Sequence, residues 1–367
     1  MTANRLRRSV FSAALAVLAA AGLALVAIPL EHGTIDASPP AAVVAPAPPS
    51  AIALSPEEIS NRVVPTIVTI TATSGFTEMA GTGIVLSPDA VVLTNHHVID
   101  GGSDITATSM HDKAKYAVEV LGYDSSRDLA VLRLTGAKGL PAAVLGSSNA
   151  VRVGDAVTAI GNAEGGGVPV SAPGAVTRLG VAVTTRNTTD GSRNQLSGLI
   201  EVDANVRPGD SGGPLVDALG NVIGVSSAGN AVDGHAENAP TPKSFAIPIG
   251  AAMPLVDQIL AGRSSETVHI GPTPLLGVSV RDHRGPQSPG PSGAQVAAVG
   301  YRSPAEGVGL ARGDVITEFD GVPIRAAADL TTRMIALHPG DAVKLRWIDG
   351  AGLERVESVV LAEGPPH

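Results

Sequence analysis

The sequence predicts a mainly β chain. From Ile59 onward, short β-branched runs alternate with turn signals: VVPTIVTITATSG, GTGIVLSPDAVVLTNHHVI, AVEVLGYD and LAVLRL. Aromatic residues make up 2% of the 367 residues, while Gly (43) and Pro (28) abound, which suits short strands and turns better than a helical bundle. The length is enough for about two domains with sizeable cores.

The same pattern gives the organisation in order. Arg5, Arg7 and Arg8 precede an uncharged, apolar stretch from Val10 to Leu30, so residues 1–37 read as a signal peptide or membrane anchor. With the arginines on the cytoplasmic side, everything after Leu30 is expected to be exported. Residues 38–54 are rich in Pro and Ala and read as an extended tether. Strand-like runs continue through AVTAIGN, GAVTRLGVAV, GLIEVDANV, PLVDALGNVIGVSSA and SFAIPI, with a short helix from Gly250 to Leu260, giving a first domain over 55–263. A Ser/Thr/Pro-containing linker over 264–274 leads to a smaller domain over 275–363.

Composition excludes several function classes. A net charge of −9 lacks the basic face that nucleic acid requires. The absence of Cys removes disulfides, thiolate nucleophiles and Cys-ligated zinc, so a nucleophile must be an oxygen or a lysine. The histidines outside the site show no paired ligand spacing, and no nucleotide-binding or calcium-binding string occurs, so no metal and no cofactor are expected.

The sharpest feature is Pro208-Gly209-Asp210-Ser211-Gly212-Gly213-Pro214-Leu215, a serine set in glycines ahead of an apolar strand. Glycines let the backbone turn so that adjacent N–H groups can point beside the hydroxyl. A serine needs a histidine base and an orienting carboxylate. Thr94-Asn95-His96-His97-Val98 ends one apolar run, and Asp128 opens the run LAVLRL. The order is then His, Asp, Ser, with both partners in the first half of the domain, a layout that suits two six-stranded barrels meeting at a cleft. His97 and His96 are rivals for the base.

Residues from about Ile59 to Glu363 resemble the HtrA (Deg) family of exported serine proteases, and most closely its actinobacterial members. The strings are GTGIVL, TNHHV, DLAVLRL, IGN, DANVRPGDSGGPL, FAIP and RGDVITEFDGVPI. The resemblance implies a chymotrypsin-like double β-barrel protease domain followed by a PDZ domain. It assigns the base to His97, the acid to Asp128, the nucleophile to Ser211, and the oxyanion hole to the N–H groups of Gly209 and Ser211. It also implies unfolded protein or peptide substrates, a C-terminal peptide ligand for the PDZ domain, homotrimers, and ATP-independent proteolysis in the cell envelope. Membrane attachment would run through the N-terminal segment if it is uncleaved.

Two departures stand out: Asp210 replaces the family's usual Asn, and the loop after Asn162 (AEGGGVPVSAPG) lacks the usual G-N-P-x-G start. Asp210 is expected to pair with Arg207 or to stay solvated. The substrate pocket is read from Asn205, six residues before the serine, with Val206 beside it and Val225, Ser226 and Ser227 as the other wall, favouring small or medium aliphatic residues. Leu275-Leu276-Gly277-Val278 fits the loop with which PDZ domains grip a terminal carboxylate. A second function class also fits: a holdase chaperone or PDZ-based binding protein with a mainly inactive resting protease domain.

Overall fold

The computed structural model describes residues 52–74, 77–186, 193–227, 243–283 and 292–366. The Val10–Leu30 stretch and the tether over 38–50 lie outside them. Among the described residues no helix is long and apolar enough to cross a membrane.

Six antiparallel strands build the first barrel: β1 (Ile67–Ser74), β2 (Thr77–Val85), β3 (Val91–Thr94), β4 (Ser103–Ser109), β5 (Lys115–Asp124) and β6 (Leu129–Leu134). They run in the order β5-β4-β1-β2-β3-β6, and β5 also pairs with β6, which closes the ring. The second barrel is closed in the order β10-β11-β12-β9-β8-β7, from β7 (Ala156–Gly161), β8 (Val170–Arg186), β9 (Arg193–Val202), β10 (Pro214–Val216), β11 (Val222–Ser227) and β12 (Ser244–Pro248).

Each barrel fills its interior with aliphatic side chains: Val68, Ile70, Val92 and Leu132 in the first, Val157, Val176, Ile200 and Leu215 in the second. A further cluster lies between the barrels, where Ile84, Leu93 and Val131 meet Ile160, Val216 and Val225. Burying each such side chain contributes about 1.5–3 kcal/mol, so this seam fixes the barrels against each other. Two helices close it from outside. α1 (Pro56–Val63) starts from a capping box, with Ser55 Oγ accepting from Glu58 N–H and Glu58 accepting from Ser55 N–H, and it buries Ile59 and Val63. α2 (Ile249–Leu260) buries Leu255, Val256 and Ile259.

The segment over 264–274, read from composition as a linker, carries two strands. β13 (Val268–Ile270) joins the first sheet beside β5, and β14 (Thr273–Leu275) pairs with β21 (Ala362–Gly364). The smaller domain is a sheet in the order β15-β16-β17-β19-β20, from β15 (Val278–His283), β16 (Gly293–Val299), β17 (Val315–Phe319), β19 (Ala342–Ile348) and β20 (Glu354–Val360), with β18 (Val322–Pro323) paired to β17. Helices α3 (Pro304–Gly307) and α4 (Ala327–Met334) complete it. Along β19, Val343, Leu345 and Trp347 alternate inward onto Phe319 and Ile316, the period-two pattern of a one-sided sheet.

Candidate active site

Strand β3 delivers the histidines. Its last residue, Thr94, donates its hydroxyl to the Thr82 carbonyl at 2.7 Å, and the chain then enters a single 3-10 turn, His96–Val98. In such a turn successive side chains diverge by about 120°, so the two histidines part company. His96 is buried against the Tyr123 ring, with centroids 4.7 Å apart. His97 stays partly exposed, and its Nδ1 lies 2.8 and 3.0 Å from the two carboxylate oxygens of Asp128.

Asp128 is positioned from several sides. Its φ is +55°, in the left-handed region, and it turns the chain from β5 into β6. Asn95 Nδ2 donates to its carbonyl at 2.9 Å, the His97 N–H to its Oδ1 at 3.0 Å, and the Ser227 hydroxyl to its Oδ2 at 3.3 Å. Burial alone would push its carboxyl up, yet the His97 charge and hydrogen bonds hold it below the usual carboxylate range. Loss of water likewise pulls the His97 imidazole down, but the charge and hydrogen bond of Asp128, with a smaller push from Asp100, leave it raised. With Nδ1–H committed to Asp128, Nε2 is the basic atom of the ring.

Ser211 follows a hydrogen-bonded turn, Arg207-Pro208-Gly209-Asp210, closed by Asp210 N–H to the Arg207 carbonyl at 3.0 Å. Pro second and Gly third at φ +97° are the signature of a type II turn. A Cβ at 209 would overlap the Asn162 carbonyl, so only glycine fits. The turn's carbonyls are held from behind: Glu164 N–H donates to Pro208, and the Thr82 hydroxyl donates to Gly209 at 2.7 Å while accepting from Asn162 N–H at 2.9 Å. Ser211 is buried, and Thr82 N–H donates to its carbonyl at 2.8 Å. At Gly212, φ +83°, a side chain would strike Thr94 and the Thr82 carbonyl. The serine segment therefore lies directly against the strand end that leads into His97.

Asp210 is neither solvated nor paired with the Arg207 guanidinium. It is buried, its Oδ2 accepts the Arg207 main-chain N–H at 2.9 Å, and its Oδ1 has no partner among the described residues. Burial raises its carboxyl above the usual range, against the pull of the Arg207 N–H and charge. The guanidinium instead meets Glu164 at 3.1 Å on the surface.

The expected pocket wall needs correction at two positions. Val225 is fully buried in the seam between the barrels, and Ser227, two residues on and so on the same face of β11, turns its hydroxyl to Asp128. Ser226 is buried, with its N–H on the Gly213 carbonyl. Asn205 is exposed and Val206 half-buried. Residues 228–242 lie outside the described ones.

In the smaller domain Leu275 ends β14, Leu276 is buried in the core, and Val278 begins β15. Gly277 has φ +83°, and its carbonyl accepts from Gly300 N–H at 2.8 Å. The Leu276 side chain thus faces inward, and what this loop offers a ligand is its main chain.

Residues 81–225 match the trypsin-like peptidase domain and residues 274–357 the PDZ domain. The chain is 31% identical over 343 residues to the serine protease PepD of Mycobacterium tuberculosis, covering 89% of this chain and 70% of PepD. The chain belongs to the HtrA/DegP family of serine proteases. It is a serine-type endopeptidase. The putative serine protease HhoA of Synechocystis is 34% identical, over 74% of this chain and 67% of HhoA. A probable periplasmic serine endoprotease DegP-like of Pseudomonas savastanoi is 35% identical, over 74% of this chain, which spans only 53% of that relative. Among solved structures, the HtrA-type protease AlgW with tripeptide is similar at 27% identity and TM-score 0.47, over 86% of this chain and 99% of that one.

Several residues of this HtrA-type site escape a reading by motif alone. Thr82 sits in the GTG string, where a small polar residue between glycines marks a close approach; Asn95 precedes the histidines without any signal of its contact to Asp128.

Proposed function

We propose that Ser211 is the nucleophile, His97 the general base, Asp128 the group that orients it, and the Gly209 and Ser211 N–H groups the oxyanion hole. The observation that carries this reading is the Asp128 carboxylate gripping both the main-chain N–H and the ring Nδ1 of His97, which fixes the tautomer with Nε2 free to take a proton. Nε2 removes the Ser211 proton as Oγ attacks a peptide carbonyl, and the proton passes to the leaving amine. The carbonyl oxygen gains charge beside this turn, where Glu164 N–H holds the Pro208 carbonyl and Gly213 N–H holds the Asp210 carbonyl at 2.9 Å, so that the Gly209 and Ser211 N–H groups point from the opposite sides of those two peptides toward the reacting centre. Water, deprotonated by His97, then releases the acyl group. No nucleotide enters these steps.

The substrates in this reading are unfolded or damaged proteins of the cell envelope, in keeping with relatives described as periplasmic endoproteases. The PDZ domain supports capture of a peptide C-terminus: β15 is an edge strand beside α4, open to one more strand, and the Leu276-Gly277 main chain lies at its start. The test is labelling of the purified protein by a fluorophosphonate probe beside Ser211→Ala, with casein hydrolysis in parallel. Labelling and cleavage that both vanish in the variant are expected; a folded wild type that does not label overturns the reading.

A further inference from the structure

Asp124 ends β5 and is wholly buried, yet its carboxylate is saturated. Oδ1 accepts from Ser126 N–H at 2.9 Å, Ser126 Oγ at 2.5 Å and Arg127 N–H at 3.1 Å. Oδ2 accepts from Thr267 Oγ1 at 3.0 Å and lies 3.3 Å from Arg127 Nε. These bonds wind residues 124–128 into the turn that leaves Asp128 at φ +55°, a conformation a non-glycine residue keeps only where its surroundings impose it. Thr267 reaches Asp124 from the residue that precedes β13, so the strand between the two domains is itself a brace of this turn.

We propose that Asp124, braced by Thr267, is a positioning residue that sets the direction of the Asp128 carboxylate toward His97. The proposal rests on the catalytic reading above. It distinguishes itself by pH: a loosened Asp128 raises His97 less, so the acid limb of the acylation rate moves to lower pH, which a purely structural role would not cause. The experiment measures fluorophosphonate labelling rates from pH 5 to 9 for wild type, Asp124→Asn, Thr267→Val, Asp128→Asn and Ser211→Ala. Expected are a fall of about ten-fold in Asp124→Asn, a smaller one in Thr267→Val, and an acid limb displaced downward in both. If Asp128→Asn labels like wild type, the catalytic reading itself fails. If Asp128→Asn is impaired while Thr267→Val and any folded Asp124→Asn keep the wild-type rate and limb, only the positioning role is overturned; should Asp124→Asn not fold, Thr267→Val decides.

Discussion

The Thr82 hydroxyl donates to the Gly209 carbonyl at 2.7 Å and so ties the first barrel to the turn that precedes Ser211. The same oxygen accepts from Asn162 N–H, placing one side chain between the Asn162 loop and the turn proposed to hold the oxyanion. Replacing it with valine keeps the shape but leaves a buried carbonyl and a buried N–H without partners, each costing about 1–3 kcal/mol. Thr82→Val is therefore expected to lower the urea midpoint and slow acylation at least ten-fold, roughly the scale of losing part of an oxyanion hole, while Thr82→Ser retains most of both. Chemical denaturation and probe labelling of the two variants check it.

A second expectation follows from the opposite shifts of His97 and Asp128. The rate should rise with pH through a midpoint above the ordinary imidazole value of 6.5, because Asp128 holds the proton on His97. Asp128→Asn should move that midpoint down and cut turnover by roughly 10⁴-fold, the scale seen when a triad acid is lost in this type of protease. The stability of the pair has its own window. Asp128 is depressed, so its contribution is present above the carboxylate range and lost as pH falls through the folded value; His97 is raised, so its contribution is present in acid and lost as pH rises through the folded value. The stability gap between wild type and Asp128→Asn, measured by urea titration, should be widest between those limits and narrow on either side.

Legibility in the sequence divides along a physical line. The barrels announce themselves because β-branched runs and turn residues are local signals, and the two glycines at 209 and 212 because close approach leaves room for nothing else. Residues that act across barrels carry no such local mark. Ser227 looks like one more pocket residue until the register of β11 turns it to Asp128. The 264–274 segment has a linker's composition, and only the pairing of three residues with β5 buries Val268 and His269. Asp210 reads as a surface acid beside an arginine, whereas it is buried and packs directly against Gly161.

Asp210 gives a third prediction. Its folded carboxyl is raised, chiefly by burial, so the charged form opposes folding and stability is lost as pH climbs above the unfolded value. Asp210→Asn keeps an oxygen for the Arg207 N–H and removes the charge. Its melting temperature should exceed that of wild type at pH 7 and match it near pH 3, with labelling of Ser211 preserved. A variant equally displaced at both pH values would show that charge is not the cause.

The PDZ loop turns on Gly277. Its φ of +83° costs a residue with a side chain about 1–2 kcal/mol, and a Cβ there would overlap Ser303, which caps α3 and donates its hydroxyl to the Gly277 carbonyl. Gly277→Ala must therefore push the loop away from Ser303 or flip it, and either movement turns the Leu276-Gly277 main chain out of line with β15. Binding of peptides with a free apolar C-terminus, followed by fluorescence anisotropy, should weaken by more than about ten-fold, the equivalent of 1.4 kcal/mol. Fluorophosphonate labelling should stay near the wild-type rate, since the substitution touches none of the residues around Ser211. Unchanged peptide affinity in a folded Gly277→Ala protein would place the carboxylate grip elsewhere on the domain.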